Sequence, residues 1–403
     1  MENLSPYKLY IDYKDERLDI SSVINNLVSY IDNSDSIIIR VESLKSLCRI
    51  LSENELLEKK NIFQIVENCA ASDESSQVRN VAVSLIVKYF SKRSEELLRH
   101  IIHNEKSAIV LRNLIYIFET SDKKIINSLK NELEYKICDI FGVDFEEAKF
   151  FLDLHISNPH LVKDNNIPET FYKEGMLHSN DKFRRPSEFS WYVVRKGKIR
   201  LLNFHSWELH RVPKSIKNLS RLNYLNLRNN KLRSFPKSIL SLMKLRKVNL
   251  AYNKVLKTFS KSAFKFAKQN LAQKYINEGV LPEEAPVLGL FEMLTGYKLE
   301  NEKTLGPDLT NGHESAKFFE LNQTGHVIKL TIIPYEDFSL TFIPRQISRL
   351  TYLKELKMIY NAIKYLPDTL GTLKHLRILD LRGNNIRIIP NSVGNLKNLR
   401  IIK

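Results

Sequence analysis

Prolines set a ruler along this chain. The interval from Pro213 to Pro236 is repeated farther on, from Pro344 to Pro367 and from Pro367 to Pro390. Between them the apolar residues keep step. Leu222, Leu225, Leu227, Asn230 and Leu232 recur as Leu245, Val248, Leu250, Asn253 and Val255, then as Leu353, Leu356, Met358, Asn361 and Ile363, and again as Leu376, Leu379, Leu381, Asn384 and Ile386. A period this short admits one strand and one turn per repeat. Such a unit cannot bury its apolar side alone, so successive repeats must stack. A long stretch from 260 onward interrupts the ruler.

The leucines of each strand are expected to point into the stack, and the Asn to hydrogen-bond backbone where the chain leaves the strand and its amides would be buried without partners. Proline then fixes φ for the return, with Ile239 and Leu242, or Leu370 and Leu373, completing the core on the convex side. Stacked in this way, the strands lie side by side as a parallel sheet.

The segments VPKSIKNLSRLNYLNLRNNKL (212–232) and LPDTLGTLKHLRILDLRGNNI (366–386) resemble the 23-residue leucine-rich repeats of the Ras-suppressor and Scribble type, written LPxxIxxLxxLxxLxLxxNxL. The resemblance covers 197–259 and 327–403. It implies an intracellular scaffold that binds protein partners, small GTPases and other signalling proteins among them, on the concave strands; no cofactor and no enzymatic activity are expected. Three places depart from the pattern. Trp207 stands where the first Asn belongs, Phe259 where the third Pro belongs, and three extra residues lie between Leu330 and Pro344.

Two-residue alternation predicts which side chains leave the core. In the first block these are Asn203 and His205, then Tyr224, Asn226 and Arg228, then Lys247, Asn249 and Ala251. In the second they are Glu355, Lys357 and Ile359, then Ile378, Asp380 and Arg382, with the isoleucines suggesting a contact surface. These columns form part of a protein-binding face, or they are ordinary solvated faces with the partner bound elsewhere.

Charge is distributed along the chain far less evenly than its net +16 suggests. Residues 1–156 hold 20 Lys/Arg against 26 Asp/Glu, whereas 182–268 hold 23 Lys/Arg against only Glu188 and Glu208. The basic stretch includes Arg195, Lys196, Lys198 and Arg200 in a hairpin, and Lys214, Lys217, Lys231, Arg233, Lys237 and Lys244 on the repeat turns. Such a surface attracts an acidic protein, the chain's own acidic half, RNA or anionic lipid. Lysine outnumbers arginine there and no nucleic-acid module is recognisable, so an acidic protein is the first expectation and RNA the second.

The N-terminal half is periodic in the helical sense, with segments at 22–31, 36–51, 60–69, 76–90, 94–103, 107–119, 124–141 and 144–156. Asp144, just ahead of Glu147, reads as a capping box. SIIIRVESLKSL, SSQVRNVAVSLI and SAIVLRNLIYIF share a signature around Arg40, Arg79 and Arg112, each separated from the next by the length of a helix pair. With its Val78-Arg79 pair this region resembles HEAT repeats. A helical solenoid and a non-repeating bundle both fit it, and both make it a packing scaffold.

The interruption reads as a helical pair. Phe264, Ala267, Leu271 and Tyr275 line one helix ended by Gly279; Pro282, Glu283 and Glu284 open another that buries Leu288, Phe291 and Leu294 before Gly296. KFFELNQTGHVIKLTI (317–332) then repeats the layout of SWYVVRKGKIRLLNF (190–204), with Gly325 and Gly197 in equivalent turns. The second block thus begins afresh with its own hairpin cap, and the repeats form two short arcs, or one arc with a helical excursion. The expected fold class is mainly α with an α/β solenoid. Its parts are a helical array at 1–156, a linker at 157–189, a first repeat block at 190–259, an insertion at 260–316 and a second block at 317–403. The final LKNLRIIK has no polar capping segment, so Leu396, Leu399 and Ile401 need cover from a partner, a second copy or a packing contact.

No phosphate-binding loop follows any strand, and the histidine pairs His100/His103, His155/His160 and His205/His210 lack the carboxylates or thiols to complete a metal set. Cys48, Cys69 and Cys138 stand singly in apolar helical contexts, as buried free thiols do. With no membrane span and no apolar N-terminal run, the expected location is the cytoplasm.

Overall fold

The computed structural model describes residues 5–54, 59–90, 94–121, 124–161, 176–177, 191–253, 260–304, 316–334 and 340–403. Two compact units divide the chain, Met1–Lys173 and Glu174–Lys403.

The first unit is a helical array: α1 (Pro6–Lys14), α2 (Ile20–Asn33), α3 (Ile37–Glu53), α4 (Lys59–Ser72), α5 (Ser76–Tyr89), α6 (Glu95–Asn104), α7 (Ala108–Thr120), α8 (Lys124–Phe141) and α9 (Phe145–Ser157). Helices α3, α5, α7 and α9 pack in succession, and α4, α6 and α8 form a second row. The core between them holds Leu47, Val78, Ala82, Leu111, Leu114, Phe150 and Phe151, all buried.

The three signature arginines turn out to be ties between successive turns of this array. Arg40 reaches Asp73 (2.9 Å), Arg79 grips Glu105 through two nitrogens (2.9 Å each) and Arg112 reaches Asp153 (2.8 Å). Each arginine lies near the start of its helix and its acid lies farther along the chain. The recurrent Arg is therefore a packing device of the array.

The start of α9 differs from the expected capping box. Asp144 makes no side-chain capping bond; its backbone carbonyl takes the amides of Glu147 and Ala148, each at 2.9 Å. Helix α1 was not legible because its polar sequence has no apolar stripe. Ser5 starts it by accepting from the Lys8 amide (3.2 Å), Pro6 sits at its first position, and Leu9 is buried.

The second unit holds two sheets. The first contains β1 (Met176–Leu177), β2 (Trp191–Arg195), β3 (Lys198–Asn203), β4 (Tyr224–Asn226) and β5 (Lys247–Asn249), hydrogen-bonded in that order. An insertion follows, made of α10 (Ser260–Asn270), α11 (Ala272–Ile276) and α12 (Ala285–Thr295). The second sheet comprises β6 (Glu300–Asn301), β7 (Ala316–Leu321), β8 (Val327–Ile333), β9 (Glu355–Lys357) and β10 (Ile378–Asp380). After a short helix, α13 (Asn391–Gly394), β11 (Arg400–Ile402) completes it.

The two sheets start alike. In each, a two-residue strand lies parallel to the outer strand of an antiparallel hairpin, whose inner strand opens the parallel ladder. Leu202 pairs with Leu225 and Leu225 with Val248, as the repeat period requires. The hairpin turn at Lys196-Gly197 has φ of 52° and 67°, a left-handed pair that suits strand twist. Neither short strand was expected: β1 falls within the segment read as linker and β6 within the insertion. Their neighbours at 162–175, 178–190 and 305–315 lie outside the described residues, as do Val255, Phe259 and residues 335–339 within the stretch that carries the three extra residues.

The asparagine ladder forms as expected. Asn253 Oδ1 accepts from the Leu232 amide (3.1 Å), and its Nδ2 donates to the carbonyls of Leu227 (2.7 Å) and Leu250 (3.0 Å). Asn230 and Asn384 make the same three kinds of bond in their own repeats, and Asn361 differs only in donating to the carbonyl of Ile359, two residues back, in place of the one three back. Where Trp207 replaces the first Asn, its ring packs against Phe204, centroids 4.6 Å apart.

The insertion is packed rather than looped out. Every residue of α12 is buried. Phe266 of α10 meets Phe235 of the first block (5.9 Å), and Arg349 of the second block lies over Phe264 (4.8 Å). Inside the insertion, Glu292 is buried with Tyr275 and Lys274 as hydrogen-bond donors, and the Tyr275 hydroxyl accepts from the Leu299 amide (3.2 Å). Glu284, also buried, takes the Val327 amide (2.7 Å) and pairs with His326 (2.8 Å). The first helix breaks at Asn270–Leu271 instead of running to Gly279, whereas Gly296 ends α12 with φ 75° as its position implied.

Candidate functional site

The ladder strands β4, β5, β9 and β10 are each three residues long and bury the middle residue, leaving the flanking pair on the face opposite the core. On the first sheet that face is a set of cations seated on tyrosines. Lys247 Nζ lies 5.7 Å from the Tyr224 ring centre and the Arg228 guanidinium 5.0 Å from that of Tyr252. The set continues past the sheet: Lys317 Nζ of β7 lies 4.5 Å from the ring of Tyr297, which follows α12.

Burial and neighbouring charge act on Tyr224, His205 and Lys317. Burial pushes the Tyr224 phenol up, and Tyr297 nearby adds to the shift. Burial lowers the pKa of His205, and Arg228 lowers it further. Lys317 is also lowered by burial. Lys247 on Tyr224, Arg228 on Tyr252 and Gly296, just before Tyr297, against Asn249 bring these groups to one end of the first sheet.

Asn226 and Asn249 serve the backbone. Their side-chain oxygens accept from the amides of Arg228 and Ala251, each at 3.0 Å, as Asn203 does from His205 (3.1 Å), ending each strand in a local turn. Asn249 is buried because the backbone at Gly296 packs directly on its carboxamide. Ala251 and Ile359 are buried too, against the expectation that they face outward. Alternation describes only a three-residue strand, and both residues lie beyond its end, where the chain has already turned.

The second sheet presents charge in a different state. Lys329 pairs with Glu302 (2.9 Å), Lys357 with Glu355 (3.2 Å), and Arg382 with Asp380 (2.7 Å). Asp380 is 2% exposed. Burial opposes its ionisation, but the Arg382 guanidinium and nearby Lys357 hold the carboxyl below the usual range. With Ile359 buried and Ile378 half-buried, the expected row of exposed isoleucines is absent and the column is locally neutralised.

Arg195 and Lys198 face each other across the hairpin turn, at the opposite end of β3 from Asn203. Sequence reading missed Tyr252, Tyr297 and Lys317. A signal existed for Tyr252 alone: Ser206, Asn229 and Tyr252, one repeat apart, all have positive φ (62°, 54° and 58°), as do Tyr360 and Gly383 (54° and 69°). Tyr297 and Lys317 have no periodic context and no signal.

Among the described residues, no group of His, Cys, Asp and Glu could hold a metal ion, and no helix is long and apolar enough to cross a membrane. Cys69 is buried, with its thiol pushed up to about 12 by burial; Cys48 and Cys138 are half-buried rather than buried. A cleft of about 250 Å³ in the helical unit is lined by Asp73, Arg79, Glu105 and His100, the first three already engaged by the inter-helix ties. His155 donates through Nδ1 to the Phe151 carbonyl (2.7 Å) inside the helical core.

The repeat geometry defines the class: the second unit resembles a leucine-rich-repeat solenoid, and the Leucine Rich Repeat family model matches residues 375–396. No curated protein matches the chain. Among solved structures, a leucine-rich-repeat protein of Leptospira interrogans shares 22% identity over 50% of this chain and 54% of its own, with a TM-score of 0.19. Internalin C2 of Listeria monocytogenes shares 15% over 66% of this chain and 95% of its own, TM-score 0.22. The ectodomain of the receptor kinase SOBIR1 of Arabidopsis thaliana shares 17% over 64% and 92%, TM-score 0.17. The chain thus spans about half the length of the Leptospira protein. Similarity at this level says nothing about partner or activity.

Proposed function

We propose that this protein is a non-enzymatic interaction scaffold of the cytoplasm, binding a protein with an acidic surface through the open face of its first repeat sheet. The observation that supports it is the row of cations on tyrosines formed by Lys247, Tyr224, Arg228 and Tyr252. Tyrosine and arginine are, with tryptophan, the side chains most enriched among the residues that carry protein-interface binding energy. The helical unit, with its inter-helix ties, is the rigid remainder of the scaffold, and a signalling partner such as a small GTPase suits the repeat type.

A salt-sensitive complex with the cognate protein is expected, captured on the full chain and lost when Arg228 and Lys247 are both changed to Glu. If that double reversal left the complex intact while Arg195→Glu with Lys198→Glu removed it, the hairpin and not the sheet face would be the binding surface.

A second reading is electrostatic binding of RNA, favoured by a run from 209 to 277 that contains no Asp or Glu. It requires log K to fall linearly with log salt, with little sequence preference.

A further inference from the structure

The insertion does more than separate the repeat blocks. It ends in Tyr297, half exposed at 49%, directly after Gly296, whose backbone packs on the Asn249 carboxamide of β5, and Tyr297 in turn carries Lys317 of β7 on its ring. One surface therefore runs from Arg228 and Tyr252 through Tyr224, Lys247 and Tyr297 to Lys317, across the joint between the two sheets.

We infer that Tyr224, Arg228, Lys247, Tyr252, Tyr297 and Lys317 form one composite site for a carboxylate-rich, extended segment of a partner protein, and that the insertion completes it. The inference rests on the open-face reading above and adds to it the partner's chemistry and the part played by the insertion.

Three observations argue for carboxylates. Every tyrosine of the set already has a cation over its ring, so the surface offers ammonium, guanidinium and phenol hydrogens rather than bare aromatic faces. Nucleobases need those faces for stacking, whereas carboxylates need only the donors. The neighbouring column on the second sheet is neutralised by its own Glu302, Glu355 and Asp380, so the attraction stops at Lys317 and acquires an end. Finally, the cations are pre-positioned on rings that are themselves partly buried, which lowers the ordering cost of binding.

The test is fluorescence anisotropy of the full chain with a fluorescein-labelled peptide of alternating Glu and Gly. Saturable, salt-weakened binding is expected, with Lys247→Glu and Lys317→Glu each weakening it roughly tenfold and Lys317→Arg restoring it. Lys214→Glu and Lys237→Glu, which make the same charge change on the 3-10 turns, should stay within about twofold. If Lys317→Glu does not fold, Lys317→Gln and Tyr297→Ser carry the comparison. No binding by the unaltered chain, or equal losses at Lys214 and Lys317, overturns the site. Loss at Lys247 without loss at Lys317 overturns the composite site and leaves the open-face reading standing. Displacement of the peptide by a single-stranded RNA of equal charge at lower concentration overturns the carboxylate assignment in favour of nucleic acid.

Discussion

The amide of Leu250 donates to the carbonyl of Met293 across 2.8 Å. At the same place in earlier repeats the acceptor is the next strand: Phe204 donates to Asn226 and Leu227 to Asn249, also at 2.8 Å. At β5, the last strand of the first sheet, the final turn of α12 supplies the acceptor instead. A sheet edge has unpaired amides and a helix C-terminus has unpaired carbonyls, so joining them satisfies both at once. The insertion is thereby the end cap of the first sheet, and the strand β6 that follows it begins the second.

That joint depends on Gly296. Its φ of 75° suits a residue without Cβ, and a Cβ there would fall inside the Asn249 carboxamide. Gly296→Ala should therefore lower stability by about 2 kcal/mol or more, from strain and displaced packing together. Urea titration followed by far-UV circular dichroism measures this directly. Gly394→Ala is the matched control, since a Cβ there meets nothing within 4 Å. Equal midpoints for the two variants would show that the joint is slack.

In the helical unit, the arginine ties differ in burial and so should differ in weight. The Glu105 carboxylate is 3% exposed and holds two nitrogens of Arg79, whereas Arg99 and Glu132 meet at a more open surface (40% and 33%). Removing Arg79 strands a buried carboxylate, although the amides of Lys106 and Ser107 still reach it. Arg79→Met should cost about 2–3 kcal/mol, while Arg99→Met should leave the unfolding midpoint near that of the unaltered chain. A double-mutant cycle with Glu105→Gln isolates the pair: additivity of the two single changes would mean that the tie contributes nothing.

The sequence carried the parts of this fold that repeat. Leu202, Leu225 and Val248 pair at the expected offset, and Asn230, Asn253, Asn361 and Asn384 bond as their spacing implies, because a translational repeat imposes the same geometry each time. What does not repeat was lost. The strands β1 and β6 are two residues long and exist only because a hairpin edge is available to them. Of the candidate surface, Tyr224 and Lys247 were legible from strand alternation and Arg228 lies two residues past the end of its strand, whereas Tyr297 and Lys317 reach it through the path of the insertion. Ile359 shows the converse error, a residue assigned by alternation to a strand that had already ended.

Acid should loosen the helical unit through His155. Burial holds its pKa below the ordinary 6.5, partly offset by the Phe151 carbonyl, so the folded state keeps the imidazole neutral. With the folded pKa depressed, the unfolded chain takes up the proton first as pH falls. The favourable contribution is complete above pH 6.5 and declines as pH drops from there toward the lower folded pKa, at up to about 1.4 kcal/mol per pH unit. Amide hydrogen exchange in α9 between pH 7 and pH 5 reads this out, after correction for intrinsic rates. His155→Gln should flatten the dependence, and an unchanged slope would assign the acid sensitivity to other groups.

Tyr252 supplies the last test, because its backbone and its side chain pull in opposite directions. A bulky residue at φ 58° costs about 1–2 kcal/mol relative to an ordinary conformation, and Asn229, one repeat earlier, shows what the same position accepts with less strain. The Arg228 guanidinium over the Tyr252 ring returns about 0.5–1 kcal/mol. Tyr252→Asn should thus leave stability unchanged or raise it slightly while weakening the acidic peptide severalfold, since Arg228 loses the ring that positions it. Such a separation of stability from binding is what a strained residue kept for recognition produces. A variant that binds as before but is destabilised as strongly as an ordinary core truncation, by about 2 kcal/mol or more, would make Tyr252 a packing residue.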